Sequence, residues 1–394
     1  MNAAETHETV RWESGMRYQT HTPDAPGPRP GGVFIADRLA WQMNLPTRPQ
    51  RLVILAQDQF GEIGSKTALG VIRYGRDTIV AVIDSTRAGR NVRDWLGEPY
   101  DIPVVATLAE TLPARPTALL LGTAPAGGKL PDSWRIIVLD AIQAGMHIRS
   151  GLHTFIGDDP EFATAAAAAG VEITDYRRSP ERMEVSSGRE HLPGKKVILT
   201  VGTDCALGKM SVALELRRAA LNAGLAGVFV PTGQTGMMID GWGVAVDRVI
   251  SDFLNGTCEW LVEQAEAMGD WIFVEGQGSL DHPAYSAVTL GLIHGCTPQA
   301  MVMVHQVGRT HHHGWEETPH MLKPLPGYIR LHEQVAALVA PTVVACVALN
   351  TSLFSEGEAR REIARTAEET GLPTDDPYRF GGERLLDALR ERLG

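Results

Sequence analysis

The chain has 394 residues, 44% of them hydrophobic and 21% charged, enough at roughly 150 residues per domain for two or three folded units. Its 36 Lys and Arg against 47 Asp and Glu give a net charge of −11, which argues against a nucleic acid or an anionic membrane as main partner, since both need a basic surface. The four cysteines, Cys205, Cys258, Cys296 and Cys346, show no CxxC spacing, which excludes a disulfide scaffold and a zinc cluster and suits a reducing cytoplasm.

Taken in order, the first 50 residues carry few apolar runs and the punctuating stretch PDAPGPRPGG (23–32), so 1–50 reads as an arm or strap, with a short amphipathic helix at 34–45. From Arg51 the pattern changes. RLVILA (51–56), TIVAVID (78–84), IPVVAT (102–107), ALLLGT (118–123) and RIIVLDAI (135–142) are short runs rich in β-branched residues, the layout of parallel strands buried on both faces. The run FATAAAAAG (162–170) reads as a helix with Gly170 as its C-cap, followed by a strand near 171–175. Residues 51–180 therefore read as a Rossmann-like α/β unit. The polar stretch 177–196 reads as a linker, after which the rhythm restarts. Strands are expected at 196–201, 227–230, 271–276, 300–305 and 342–350, with helices at 210–224 and 355–371. The second α/β domain spans 195–394. No stretch approaches the roughly 18 uninterrupted apolar residues of a membrane span, and the N-terminus lacks a signal-peptide layout. A cytoplasmic protein is expected.

The strongest chemical signal is KVILTVGTDCALGKMSVALELRR, an apolar strand running through a glycine-containing loop into a helix. In such a phosphate loop, backbone N–H groups and the helix N-terminus converge on phosphate oxygens while the lysine reaches the outer phosphates. Thr203, Asp204, Cys205, Ala206, Leu207, Gly208, Lys209, Met210 and Ser211 are the candidate nucleotide-binding residues. Two departures stand out. The loop is one residue longer than GxxxxGK[ST], and Met210 stands where a Mg²⁺-binding Ser or Thr follows the lysine, leaving Ser211 as the nearest hydroxyl. Cys205 lies at a helix N-terminus, which lowers a thiol pKa and admits a nucleophile, but a cramped phosphate loop counts against one.

Glu275 ends an apolar strand between glycines, the setting of a Mg²⁺ ligand or of a turn cap. Asp247 and Asp252 lie five apart, so on a helix they do not share a face. Gln234, Thr235 and Gly236 form a polar patch at a strand end, suited to a small carboxylate or amine. Gln277, Ser279, His282, Tyr285 and Ser286 follow the acidic turn and can face the same cleft. His305 and Arg309 lie just past the next strand, where an arginine can clamp a carboxylate or neutralise a phosphoryl group. The run His311-His312-His313 reads as a solvated or interface loop. In the first domain, Lys66 and Thr67 open a helix, and Ser150 to His153 (SGLH) end a strand–helix unit, both where open α/β sheets bind ligands.

The loop GTDCALGKM resembles the GTDxxxGKT loop of dethiobiotin synthetase and the cobyrinic acid amide synthases, which use ATP and Mg²⁺ to activate a carboxylate or carbamate. That resemblance implies a metal-binding glutamate at Glu275, with Asp247 and Ser211 as partner ligands, and an adenine-reading amide at Asn350. A closer resemblance covers residues 51–380. The blocks KTALGVIRYG, SGLH, VGTDCALGKM, TGQTGMMIDGWGVAVDRVISDF, EGQGSLDHPAYSAVTLGLIHG and VALNTS look like a bacterial family, long catalogued as of unknown function, that pairs a Rossmann-like domain with a P-loop domain. One branch of it is described as D-glutamate N-acetyltransferase.

The fold expected is α/β, a Rossmann-like domain followed by a P-loop NTPase domain with a mainly parallel sheet. The leading functional expectation is an ATP- and Mg²⁺-dependent enzyme that forms an amide on a small amino-acid-like substrate. In it Lys209 and the loop hold the triphosphate, Glu275 the metal, and Gln234, His305 and Arg309 the acceptor, with Thr235, Gly236, Gln277, Ser279, His282, Ser150 and His153 lining the substrate site. The alternative is acetyl transfer from acetyl-CoA to an amino-acid nitrogen. A nucleotide-dependent regulatory protein without turnover, favoured by Met210, and a small-metabolite kinase are the remaining readings. Self-association into a homo-oligomer is expected.

Overall fold

The computed structural model describes residues 45–46, 48–61, 63–123 and 128–394. The expected helix at 34–45 and nearly all of the arm lie outside the described residues. The first sheet comprises β1 (Arg51–Leu55), β2 (Thr78–Ile83), β3 (Val104–Val105), β4 (Ala118–Leu121), β5 (His147–Ser150) and β6 (Ile173–Asp175). Its strands are parallel and ordered β3-β2-β1-β4-β5-β6, the doubly wound order whose direction reverses beside β1. The second sheet, also wholly parallel, comprises β7 (Lys196–Gly202), β8 (Gly227–Val230), β9 (Trp271–Val274), β10 (Ala300–Gln306), β11 (Val343–Asn350) and β12 (Thr374–Asp375), ordered β12-β11-β10-β7-β9-β8. Both sheets bury aliphatic strands such as LVIL and VILTV, as helices on both faces require.

The helices that matter below are α1 (Lys66–Tyr74), α2 (Asp132–Gln143), α3 (Pro160–Ala169), α4 (Lys209–Asn222), α5 (Gln234–Asp240) and α6 (Ser251–Glu266). Helix α3 has its start and stop written in sequence. The Asp159 side chain accepts the Glu161 N–H, Pro160 fills the first turn, and Gly170 closes it at φ 66°.

Helix α2 corrects the strand expected at 135–142. Trp134, Val138, Ala141 and Ile142 are its buried residues, a spacing of three and four that matches one helix face and not the alternation of a strand. Strand β5 was hidden for the opposite reason. Its one aliphatic residue is Ile148, and its Arg149 is a buried charge paired with Asp77 at 2.6 Å, so no apolar run marks it. Asp247 and Asp252 share no helix. The first lies in the 3-10 turn Val246–Arg248, the second in α6.

One apolar cluster runs through both sheets, from Leu52, Ala68 and Val71 to Ile198, Val212, Met237 and Ile239. Helix α1 packs on α5, with Thr67 and Thr235 hydroxyls 2.8 Å apart. Further links are the Tyr74 hydroxyl donating to Glu215 at 2.8 Å and the ion pair of Arg177 with Asp247. The loops that follow β1 and β7 are thereby brought together.

Candidate functional site

Strand β7 lies between β9 and β10, with Leu199 paired to Val274 and Gly202 to Val304. This register sets Glu275 on one side of the loop 203–208 and His305 on the other. Thr203 is tied to β10 by its N–H to the Val304 carbonyl at 3.1 Å and by its hydroxyl 3.0 Å from His305 Nδ1. Ala206 and Gly208 adopt φ of 53° and 108°. Left-handed residues interleaved in a loop turn successive N–H groups inward as an anion-binding nest. Among the described residues the N–H groups of Ala206, Leu207 and Gly208 donate to no protein acceptor.

Lys209 is buried, donates to the Asp204 carbonyl at 2.7 Å, and has its ammonium pushed down to about 8 by burial, against the pull of Cys205 and Asp204. Met210 rests partly buried against the core beside Gly70, where an added Cβ would meet its Cε at 3.1 Å. The side chain that replaces the Mg²⁺-binding hydroxyl thus serves the contact between the two sheets' helices. Asn350 gives its amide N–H to the Leu207 carbonyl at 3.1 Å and accepts the Ser352 N–H at 3.1 Å, so both ends of the residue expected to read adenine hold the chain itself.

Asp204 is the anchor of the loop. It is wholly buried and accepts Arg309 Nη1 at 2.7 Å, His312 Nδ1 at 3.1 Å and the His313 N–H at 2.8 Å. Burial pushes its carboxyl up, but these donors, Arg309 foremost, hold it below the usual carboxylate range. Arg309 also donates to the Cys205 carbonyl at 2.8 Å and to Gln306. The structure therefore places Arg309 as a brace under the loop. His305 is pushed down to about 4, first by burial and then by Arg309, and stays neutral. His312 overturns the expectation of a solvated histidine run: it is buried because Asp204 needs its donor, while His313 is exposed.

On the other flank, Glu275 Oε2 accepts the N–H groups of Thr232 at 3.0 Å and Gly233 at 3.1 Å. Burial pushes its carboxyl up to about 7, with those N–H groups and Lys66 opposing the rise. Gly236 lets α5 approach, since a Cβ there would lie 2.5 Å from Glu275 Oε2. Gln234 packs over Gly151, whose added Cβ would meet its Cγ at 2.7 Å, and Gln277 donates to the Thr232 carbonyl at 2.5 Å. Ser279 is buried and donates to Asp281 at 3.1 Å, and the Ser150 hydroxyl accepts the Leu152 N–H at 3.2 Å. His153 lies against Gly128, and burial followed by Arg177 lowers its pKa. Arg177 holds both the Gly151 carbonyl, at 2.8 Å, and Asp247, so Asp247 is paired with a cation of the first α/β unit.

Lys66, exposed at the start of α1, is the residue whose part in this site was least visible in sequence. Its charge lowers the pKa of Cys205, Lys209 and Glu275 together, so the first α/β unit supplies a cation to the loop of the second. The only signal was its place after a loop in GSKTALG. An Asp204 oxygen, Cys205 Sγ and a His282 ring nitrogen lie within 4.8 Å of one another. Asp204 already serves three donors, and Lys66, Lys209 and Arg309 make the surroundings cationic, which disfavours a divalent ion. The assembly of unpaired N–H groups, two lysines and a near-neutral carboxyl suits an anion or a developing oxyanion, and a proton transfer beside it.

Residues 85–179 match the Rossmann-like domain, and 184–386 the P-loop domain, of a family described as a domain of unknown function, DUF1611. A protein of Tritonibacter scottomollicae named D-glutamate N-acetyltransferase is 34% identical over 83% of this chain and 94% of its own length. One of the same name from a Pseudoalteromonas species is 37% identical over 68% of this chain and 80% of its own. The crystal structure of a DUF1611 family protein from Anabaena variabilis superposes with a TM-score of 0.83 at 40% identity, covering 87% of this chain and 99% of that one. This chain belongs to the DUF1611 family, with its Rossmann-like N-terminal and P-loop C-terminal domains.

Proposed function

We propose that this protein transfers an acetyl group from acetyl-CoA to the amine of a small acidic amino acid, of which D-glutamate is the leading candidate. The observation that carries the reading is Glu275, a buried carboxyl raised to about 7 on which the cation Lys66 acts. An amine must lose a proton to become an amide, and a base is most effective when its pKa lies near the working pH. Lys66 and Lys209 suit the acceptor's carboxylates, and the unpaired N–H groups of the loop suit the oxyanion of acyl transfer. The names of the two relatives support the same reaction. Met210 and the Arg177-bound Asp247 are consistent with a reaction that needs no Mg²⁺. ATP-driven ligation, the expectation from the loop alone, rests on Lys209 and the loop geometry.

The test is incubation with acetyl-CoA and a panel of D- and L-amino acids, with and without ATP and Mg²⁺, following free thiol and product mass. D-glutamate one acetyl group heavier, formed without ATP, is the result expected. Product formed only with ATP, with ADP released, would overturn acetyl-CoA transfer in favour of ligation. Nucleotide binding without any product would leave the regulatory reading.

A further inference from the structure

Cys205 lies in the turn between β7 and α4, and the next residue, Ala206, is held at φ 53°, a conformation that costs a residue bearing a Cβ on the order of 1 kcal/mol. A strained strand–turn–helix elbow of this kind lifts one side chain to the loop surface and aims the following backbone N–H groups at whatever that side chain attacks. Here Cys205 is half-buried, Ala206 is exposed, and the N–H groups of Ala206 and Leu207 donate to no acceptor among the described residues. The loop is thus exposed at Ala206, next to the cysteine.

An independent observation points to the same spot. His282 is 1% exposed, and its ring is fixed between Tyr285, His312 and Trp315, with centroids 4.7, 4.9 and 4.8 Å away. Its Nδ1 accepts the Ala284 N–H at 3.1 Å, so in the neutral ring the proton is on Nε2. That buried Nε2 has no hydrogen-bond partner and lies 3.7 Å from Asp204 Oδ1, in the group that includes Cys205 Sγ. A buried donor left unpaired costs about 1–3 kcal/mol, a cost recovered when a ligand brings an acceptor.

We propose that Cys205 is a covalent acetyl carrier, taking the acetyl group from a thioester donor and handing it to the acceptor amine. The proposal rests on the acetyl-transfer reading above. In the first half-reaction a bond forms between Cys205 Sγ and the acetyl carbonyl carbon. The carbonyl electron pair moves onto oxygen, which takes the N–H groups of Ala206 and Leu207 and His282 Nε2–H. Cys205 attacks as the thiolate, its proton released to solvent and its charge offset by the Lys209 and Lys66 ammoniums. Collapse breaks the donor's carbon–sulfur bond, and the donor thiolate leaves and takes a proton back from solvent. In the second half-reaction the amine attacks the Cys205 thioester and gives a proton to Glu275. The Cys205 sulfur leaves as thiolate and recovers that proton, so donor thioester and amine become amide and thiol with no redox change. Burial raises the Cys205 thiol pKa while the Lys209 and Lys66 ammoniums oppose the rise, so the resting cysteine keeps its proton and the attacking thiolate is held by those cations.

The full chain, mixed with excess acetyl-CoA and no amino acid and quenched in acid, should carry one acetyl group on the peptide containing Cys205. One equivalent of thiol should appear in a burst, and hydroxylamine or D-glutamate should strip the label. Cys205→Ala should lose both label and turnover, and His282→Gln should slow labelling by about 100-fold with an unchanged melting curve. Turnover that persists in Cys205→Ala, or in wild type without a labelled chain, overturns the carrier and leaves acetyl transfer standing. Absence of both burst and turnover overturns the two together.

Discussion

Replacing Glu275 by Gln separates the energetic cost of this residue from its chemistry. Folding raises the carboxyl from its ordinary 4.5 to about 7 because burial disfavours the charge. A folded pKa above the unfolded one means that the native state binds the proton more tightly, so stability falls as pH rises between the two values. The full cost is present above the folded one, and at ~1.4 kcal/mol per tenfold it comes to about 3 kcal/mol. Gln keeps the shape and an oxygen for the Thr232 and Gly233 N–H groups without the charge. Glu275→Gln should therefore be close to wild type in stability at about pH 5 and more stable at about pH 8, by about 2–3 kcal/mol, or on the order of 5 °C in melting temperature. Acetyl transfer should fall by about 100-fold or more at about pH 8, the usual scale for loss of a general base, and by far less at about pH 5, where wild-type Glu275 is itself protonated. Thermal melts across that range, paired with rate assays, check both. A stability difference that does not change with pH, or that favours wild type as pH rises, would refute the reasoning that Glu275 is held near neutrality by burial.

Lys66→Gln removes a cation that stabilises ionised Glu275. The rising limb of the pH–rate profile should move up by roughly half a pH unit or less. An unmoved limb would show that the cation of the first α/β unit does not act on the site. Gly276→Ala tests the backbone that carries Glu275: the new Cβ would lie 1.6 Å from the Thr200 carbonyl oxygen. With β7 and β9 forced apart, a loss of more than about 4 kcal/mol is expected, read as insoluble or unfolded protein. A soluble variant with near-native melting would contradict the register of these strands.

Much of this molecule was legible in its sequence wherever local chemistry decides. Most of the short aliphatic runs became parallel strands because a strand buried on both faces favours them, and GTDCALGKM became a strand–loop–helix because Gly208 and the helix after it leave few other choices. The residues carrying charge inside the core were less legible. Arg149 disguised β5 until Asp77, 72 positions away, accounted for it, and the helical spacing in RIIVLDAI was masked by its β-branched composition.

For the site, the sequence by itself determined which residues are present and which loop they surround. Tertiary structure decided what each is free to do. Arg309 and His312, more than 100 positions from Asp204, are spent on it. Asp247 is taken by Arg177 and Asn350 by Leu207. Lys66 acts on a loop 140 positions later because α1 packs on α5. Hydrogen-bond and charge partners are set by proximity in space, which strand order and domain packing create and no local pattern encodes.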